Sequence, residues 1–144
     1  MIIHMDIEVA LHPNGSNIIY TVCFIQLIPF GYSVYYQMYD STTVIGIVFF
    51  TSINYWRKPS LHSIRRYMDM QCVILAVLYH LYLIHYYSLS RHYYYMIGIS
   101  SLLYPIEYLI PCHKYYCIAI CHSILQIMAC YIFIRLCTDL QHYL

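Results

Sequence analysis

Residues 70–90 read MQCVILAVLYHLYLIHYYSLS, twenty-one consecutive positions without an Asp, Glu, Lys or Arg. An α-helix rises about 1.5 Å per residue, so roughly twenty apolar residues match a hydrocarbon core of about 30 Å. Four more stretches of similar character flank this one, and the charged residues fall almost wholly between them. The predicted spans are 17–37, 41–56, 67–87, 93–110 and 115–136. Lipid offers no partner to free backbone groups, and the residues do not alternate as barrel strands would, so each span is expected to be a helix. The expected fold is all-α, a polytopic transmembrane bundle of about five spanning helices forming one integral membrane domain over 1–144.

Composition supports that class. Only 9% of the residues are charged and 62% are hydrophobic, far from the balance of an ordinary soluble domain. Most of the 144 residues are consumed by spanning, which leaves no stretch for a separate soluble module. A net charge of +1 gives no basic footprint for phosphates, which argues against nucleic acid as a partner. The expected partners are the lipid bilayer and other membrane protein chains. The stretch Met1 to Leu11 carries Asp6 and Glu8 and no Lys or Arg. That is the wrong charge for a secretory or transit leader, so the first span is expected to be retained. The seven cysteines are mostly inside spans (Cys23, Cys72, Cys117, Cys121, Cys130), which reads as free thiols acting as small apolar residues.

Loop charge predicts orientation. With the amino terminus cytoplasmic, that side collects Arg57, Lys58, Arg65, Arg66 and Lys114, and the other side holds Arg91 and Arg135. This five-to-two ratio obeys the positive-inside bias, and the carboxyl terminus is then outside. Asn14-Gly15-Ser16 pulls the other way, as a glycosylation acceptor usable only on a lumenal face. Charge asymmetry is the stronger argument. Pro29 and Gly31 predict a kink in the first span. Many of the twenty tyrosines cluster at span ends: Tyr35, Tyr36 and Tyr39; Tyr86, Tyr87, Tyr93, Tyr94 and Tyr95; Tyr104, Tyr108, Tyr115 and Tyr116. An apolar ring with a wet hydroxyl settles at headgroup level, so these read as an aromatic belt.

Strongly polar groups at membrane depth are costly and usually face a bundle interior. Ser52 and Asn54 end the second span, Asp69 starts the third, Glu107 ends the fourth, and His113 and His122 lie near the start of the fifth. All therefore fall in the same half of the bilayer, which makes Ser52, Asp69 and His122 the candidate catalytic residues. A structural account competes with this one. Asp69 has the spacing for helical ion pairs with Arg65 and Arg66, and Glu107 can reach the headgroups or pair with Lys114. His113, Cys117 and Cys121 follow a four-residue spacing and form one stripe, able to offer a soft metal an imidazole and two thiolates. With His122 they are the candidate metal ligands, although the paired CxxC spacing of a zinc site is missing. His80 and His85 are five residues apart and point in different directions.

The run Thr51-Ser52-Ile53-Asn54-Tyr55-Trp56, followed by Arg65-Arg66-Tyr67-Met68-Asp69, resembles part of the CREST superfamily of membrane proteins, which includes alkaline ceramidases and progestin and adiponectin receptors. The resemblance implies seven spans and a zinc held by three histidines. It also implies a serine four residues before the first histidine and an aspartate opening the next span. Ser52 and Asp69 match that serine and aspartate, and His122 matches the first late histidine. Trp56 stands where the first zinc histidine belongs and Gln126 where the last belongs, and five spans replace seven. The resemblance covers about a third of the chain. The segment Ser52-x-x-Tyr55-Trp56-x-x-Pro59 is also similar to short multi-pass membrane proteins of large algal DNA viruses.

The expected function is structural or assembly-related, without catalysis and without a cofactor. One alternative is a metal-dependent lipid amide hydrolase, in which zinc activates water, Asp69 handles a proton and Ser52 stabilises the oxyanion. The other is a haem-binding or proton-conducting membrane subunit built on the buried histidines.

Overall fold

The computed structural model describes residues 11–60, 62–109 and 115–143, apart from the side chains of 107 and 108. Of these residues 85% are helical, and no strand occurs among them. Six helices follow in order: α1 (Pro13–Cys23), α2 (Leu27–Tyr35), α3 (Tyr39–Trp56), α4 (Ile64–Tyr86), α5 (His92–Leu109) and α6 (Tyr115–Leu140). A short 3-10 turn, Phe24–Gln26, joins α1 to α2.

Local chemistry sets these limits. Pro13 opens α1, where a missing N–H costs nothing, and the His12 ring caps the Asn14 amide. Ser63 caps α4 by accepting from the Arg66 amide. Helices α2 and α4 stop at Gln37 and Ser88, whose φ angles are 58° and 52°. In each case the next amide reaches back five residues, Met38 to the Ser33 carbonyl and Leu89 to the Ile84 carbonyl, both at 2.9 Å. That is the left-handed cap that closes a helix onto its own last turn. The disturbance expected at Pro29 falls one turn earlier, at the 3-10 turn. Proline lacks the N–H that would bond the Ile25 carbonyl, so the backbone there tightens to shorter-range bonds.

With α1 and α2 taken as one rod, Pro13–Tyr35, the chain forms five rods in a closed circuit. Rod one packs on α3 and α6, α3 on α4, α4 on α5, and α5 on α6. Side-chain contacts give the directions. Ser52 late in α3 meets Asp69 early in α4, while Ser41 early in α3 meets Tyr79 late in α4, so these helices are antiparallel along their length. Tyr93, opening α5, meets Asp139 near the end of α6. His12 stacks on Tyr115 at 4.3 Å, and Tyr32 bonds Thr138 at 2.9 Å, so rod one and α6 run parallel. An up-and-down chain of five rods must place its first and last rods parallel when the circuit closes.

The bundle thus has a basic end, with His12, Trp56, Arg57, Lys58, Arg65, Arg66 and Tyr115, and a far end with Gln37, Ser88, Arg91, Tyr93 and Asp139. The larger apolar core lies toward the far end, around Ile84, Phe133, Leu136 and Cys137. A smaller one near the basic end holds Leu11, Ile19, Cys23, Tyr55, Trp56 and Ala119.

Among the described residues, three helical segments are long and apolar enough to cross a membrane: Pro13–Tyr35, Ile64–Tyr86 and Tyr115–Leu140. Leu75, Leu78 and Tyr82, which share one face of α4, are each more than half exposed, as suits a surface solvated by lipid. Helices α3 and α5 have 18 residues each, about 27 Å at helical rise, and carry more polar side chains. The belt reading requires exposed rings, and Tyr35, Tyr39, Tyr86 and Tyr95 are each 66% exposed or more. It does not hold for Tyr93, which is 3% exposed and donates to the Asp139 carboxylate inside the bundle.

Candidate functional site

Near the basic end, α3, α4, α6 and α1 each contribute a polar side chain to one buried cluster. Asp69, in the second turn of α4, is 8% exposed. Its Oδ1 accepts from the Ser52 hydroxyl at 2.7 Å and from Thr51 at 3.3 Å. The adjacent Thr51 and Ser52 both reach the carboxylate because Asp69 packs against the last turns of α3. Thr51 also bonds the Val48 carbonyl, one turn earlier on its own helix.

The ion pair from Arg65 to Asp69 that helical spacing suggests is not the arrangement found. The Arg65 guanidinium donates instead to the Asn54 and Lys58 carbonyls at 3.4 and 3.0 Å. The carbonyls at the end of α3 have no partners further along the helix, and an arginine there satisfies them and meets the negative end of the helix dipole. Asp69 is left to the hydroxyls of α3.

His122, on the second turn of α6, lies within electrostatic reach of Asp69. Its ring packs edgewise on the Trp56 indole, with centroids 4.7 Å apart. One turn further along the same face, the Gln126 amide donates from Nε2 to Cys23 Sγ at 3.3 Å. His122 and Gln126 are both buried, and Cys23 is completely so. The convergence of Ser52, Asp69 and His122 expected from their depths is thus present. Trp56 and Gln126 complete the group, and α1 joins it through Cys23, which depth reasoning had not included.

Among the described residues, two polar atoms of this cluster are buried without a hydrogen-bond partner, Trp56 Nε1 and Gln126 Oε1. His80 Nε2 is in the same condition deeper in the bundle, where its ring packs on Phe133 at 5.0 Å, while His85 is exposed. The cysteine stripe on α6 does not join the cluster. Cys117 is exposed and Cys121 only half-buried, and they lie about 140° and about 100° around α6 from His122, away from the inward face. His113, Lys114 and the Glu107 side chain lie outside the described residues. All six described cysteines are free thiols.

A second polar layer crosses the far end. Tyr93 bonds Asp139, Tyr32 bonds Thr138, Ser41 bonds Tyr79 at 3.0 Å, and Thr42 bonds Ser33 at 2.9 Å. The fifth predicted span stops at 136, whereas α6 continues to Leu140, and that extra turn carries Thr138 and Asp139 into the bundle. The sequence signal for this layer was Asp139 itself, three residues beyond the predicted end of an apolar run.

No family model, curated protein or solved structure matches this chain. Among the described residues, no three His, Cys, Asp or Glu side chains are grouped as metal ligands.

Proposed function

We propose that this chain is a five-span integral membrane protein with a structural or assembly role and no catalysis of its own. Its amino terminus is cytoplasmic and its carboxyl terminus outside. The observation that carries the reading is the contact of Trp56 with His122. In the arrangement implied by the CREST resemblance, Trp56 and Gln126 stand where two zinc histidines would be. An indole N–H only donates, and a neutral amide oxygen is a poor zinc ligand beside imidazole or thiolate. His122 alone cannot hold an ion that needs about three protein ligands to activate water. The donor set does not fit zinc, and no hydrolytic step is assigned to it.

Ser52, Asp69 and His122 serve this reading as internal fastenings. A hydroxyl–carboxylate bond between α3 and α4 holds the two helices in register where lipid supplies no hydrophobic drive for their association. Concentration of Arg57, Lys58, Arg65 and Arg66 at one end supports the cytoplasmic assignment of that end. Ser16 of the glycosylation acceptor sequence is buried, with its hydroxyl bonded to the Pro13 carbonyl, which also favours that side. The exposed apolar faces fit lipid or a neighbouring membrane chain.

Metal content tests the reading. Protein extracted in mild detergent without chelator should contain far less than one zinc per chain. Stoichiometric zinc that survives dialysis and is lost on His122→Ala would overturn it in favour of the hydrolase.

A further inference from the structure

The basic-end cluster has hydrogen-bonding capacity that the protein leaves unused. Trp56 is 9% exposed and Gln126 6%, and among the described residues the indole N–H has no acceptor and Gln126 Oε1 no donor. Both belong to one packed group, because the Trp56 ring touches His122, Gln126 follows His122 by one turn, and Cys23 packs in the same core as Trp56 while bonding Gln126. Buried polar atoms in proteins nearly always find a partner, and lipid offers none.

We propose that this cluster binds a hydroxyl group, whose oxygen accepts from Trp56 Nε1–H and whose hydrogen is donated to Gln126 Oε1. A hydroxyl is the smallest group that both accepts and donates. It also suits the other setting of the Gln126 amide, in which Oε1 faces Cys23 and the unpaired Nε2 donates, since a hydroxyl oxygen accepts twice. An ion is a poorer fit, because a bare cation has nothing to offer the indole N–H and an anion nothing to offer Oε1. The hydroxyl belongs either to an internal water, of the kind that satisfies buried polar groups, or to a neutral lipid carrying a free alcohol. The proposal uses the same cluster as the functional reading but does not depend on the zinc result.

Trp56 is the only tryptophan in the chain, so its indole N–H can be observed alone. Ultraviolet resonance Raman of the full-length protein in phosphatidylcholine vesicles, a lipid without hydroxyl groups, reports whether that N–H is hydrogen-bonded. A bonded signal in these vesicles supports the site with water as occupant. A free signal that becomes bonded when diacylglycerol is added supports the site with a lipid alcohol. A free N–H in both overturns the proposal whatever the zinc content. Gln126→Leu, which keeps much of the volume and removes the amide, should shift the signal toward the free position. An unchanged bonded signal in that variant, with helicity intact by circular dichroism, would contradict the two-point site.

Discussion

At the scale of single residues, the tie between α3 and α4 is short, buried and made of one carboxylate and two hydroxyls. The Ser52–Asp69 bond at 2.7 Å links α3 to α4, and a double-mutant cycle isolates it. Ser52→Ala and Asp69→Ala, alone and combined, should give a coupling between about 0.6 and about 1.7 kcal/mol in a membrane unfolding assay, the average and the maximum for interhelical hydrogen bonds in lipid. Additive losses would show that the two side chains do not act on each other. Asp69 and His122 were legible in the sequence because a polar residue inside an apolar run stands out and its depth can be counted along the helix. Trp56 was legible only as a mismatch in a resemblance, since an aromatic residue at a span end ordinarily belongs at the headgroups. The carbonyls that take the Arg65 guanidinium were not legible at all, because every residue has a carbonyl and only the fold decides which one is left unpaired.

At the scale of elements, rod one depends on a close approach. A Cβ on Gly15 would lie 3.0 Å from the Leu11 side chain and 3.2 Å from the Tyr115 carbonyl oxygen, whereas one on Gly31 would meet nothing within 4 Å. Gly15→Val should therefore push α1 off α6 and cost about 1–3 kcal/mol. Gly31→Ala should be neutral or stabilise by up to about 1 kcal/mol, because alanine costs less backbone entropy in a helix. Equal effects of the two changes in steric-trap or denaturant unfolding would contradict this packing of α1. The elements themselves were the most legible part of the chain: all five predicted spans correspond to rods. Their ends were less so. Thr138 and Asp139 look like the close of the fifth span, yet Tyr32 and Tyr93 receive them inside the bundle and prolong α6. The disturbance near Pro29 was legible in kind, and its location one turn earlier follows from which carbonyl a proline leaves unbonded.

At the scale of the whole molecule, the central claim is that all five rods cross the bilayer. Three rods satisfy length and apolarity unaided, while α3 and α5 are shorter and more polar. Helix α3 nevertheless pairs with α4 at both ends, through Ser52–Asp69 and Ser41–Tyr79, and α5 meets the far end of α6 through Tyr93. Four polar side chains of α3, Ser41, Thr42, Thr51 and Ser52, are turned inward onto partners, which makes a polar helix more tolerable in lipid, while Asp40 and Asn54, near its two ends, are exposed. Hydropathy counts the four inward residues as costs because a sequence does not display their partners. The positions of the connecting segments separate the two topologies more sharply than the termini, which lie on opposite sides for either three or five spans. Single cysteines at His12, Ser60 and Ser90, in an otherwise cysteine-free chain in sealed cells, can be labelled with a membrane-impermeant maleimide. Five spans with a cytoplasmic amino terminus, the latter reported by protection of His12→Cys, predict that Ser60→Cys is protected and Ser90→Cys is labelled from outside. With His12→Cys protected, labelling of Ser60→Cys and protection of Ser90→Cys, the pattern of a chain that crosses only with Pro13–Tyr35, Ile64–Tyr86 and Tyr115–Leu140, would contradict the account, and so would labelling of His12→Cys.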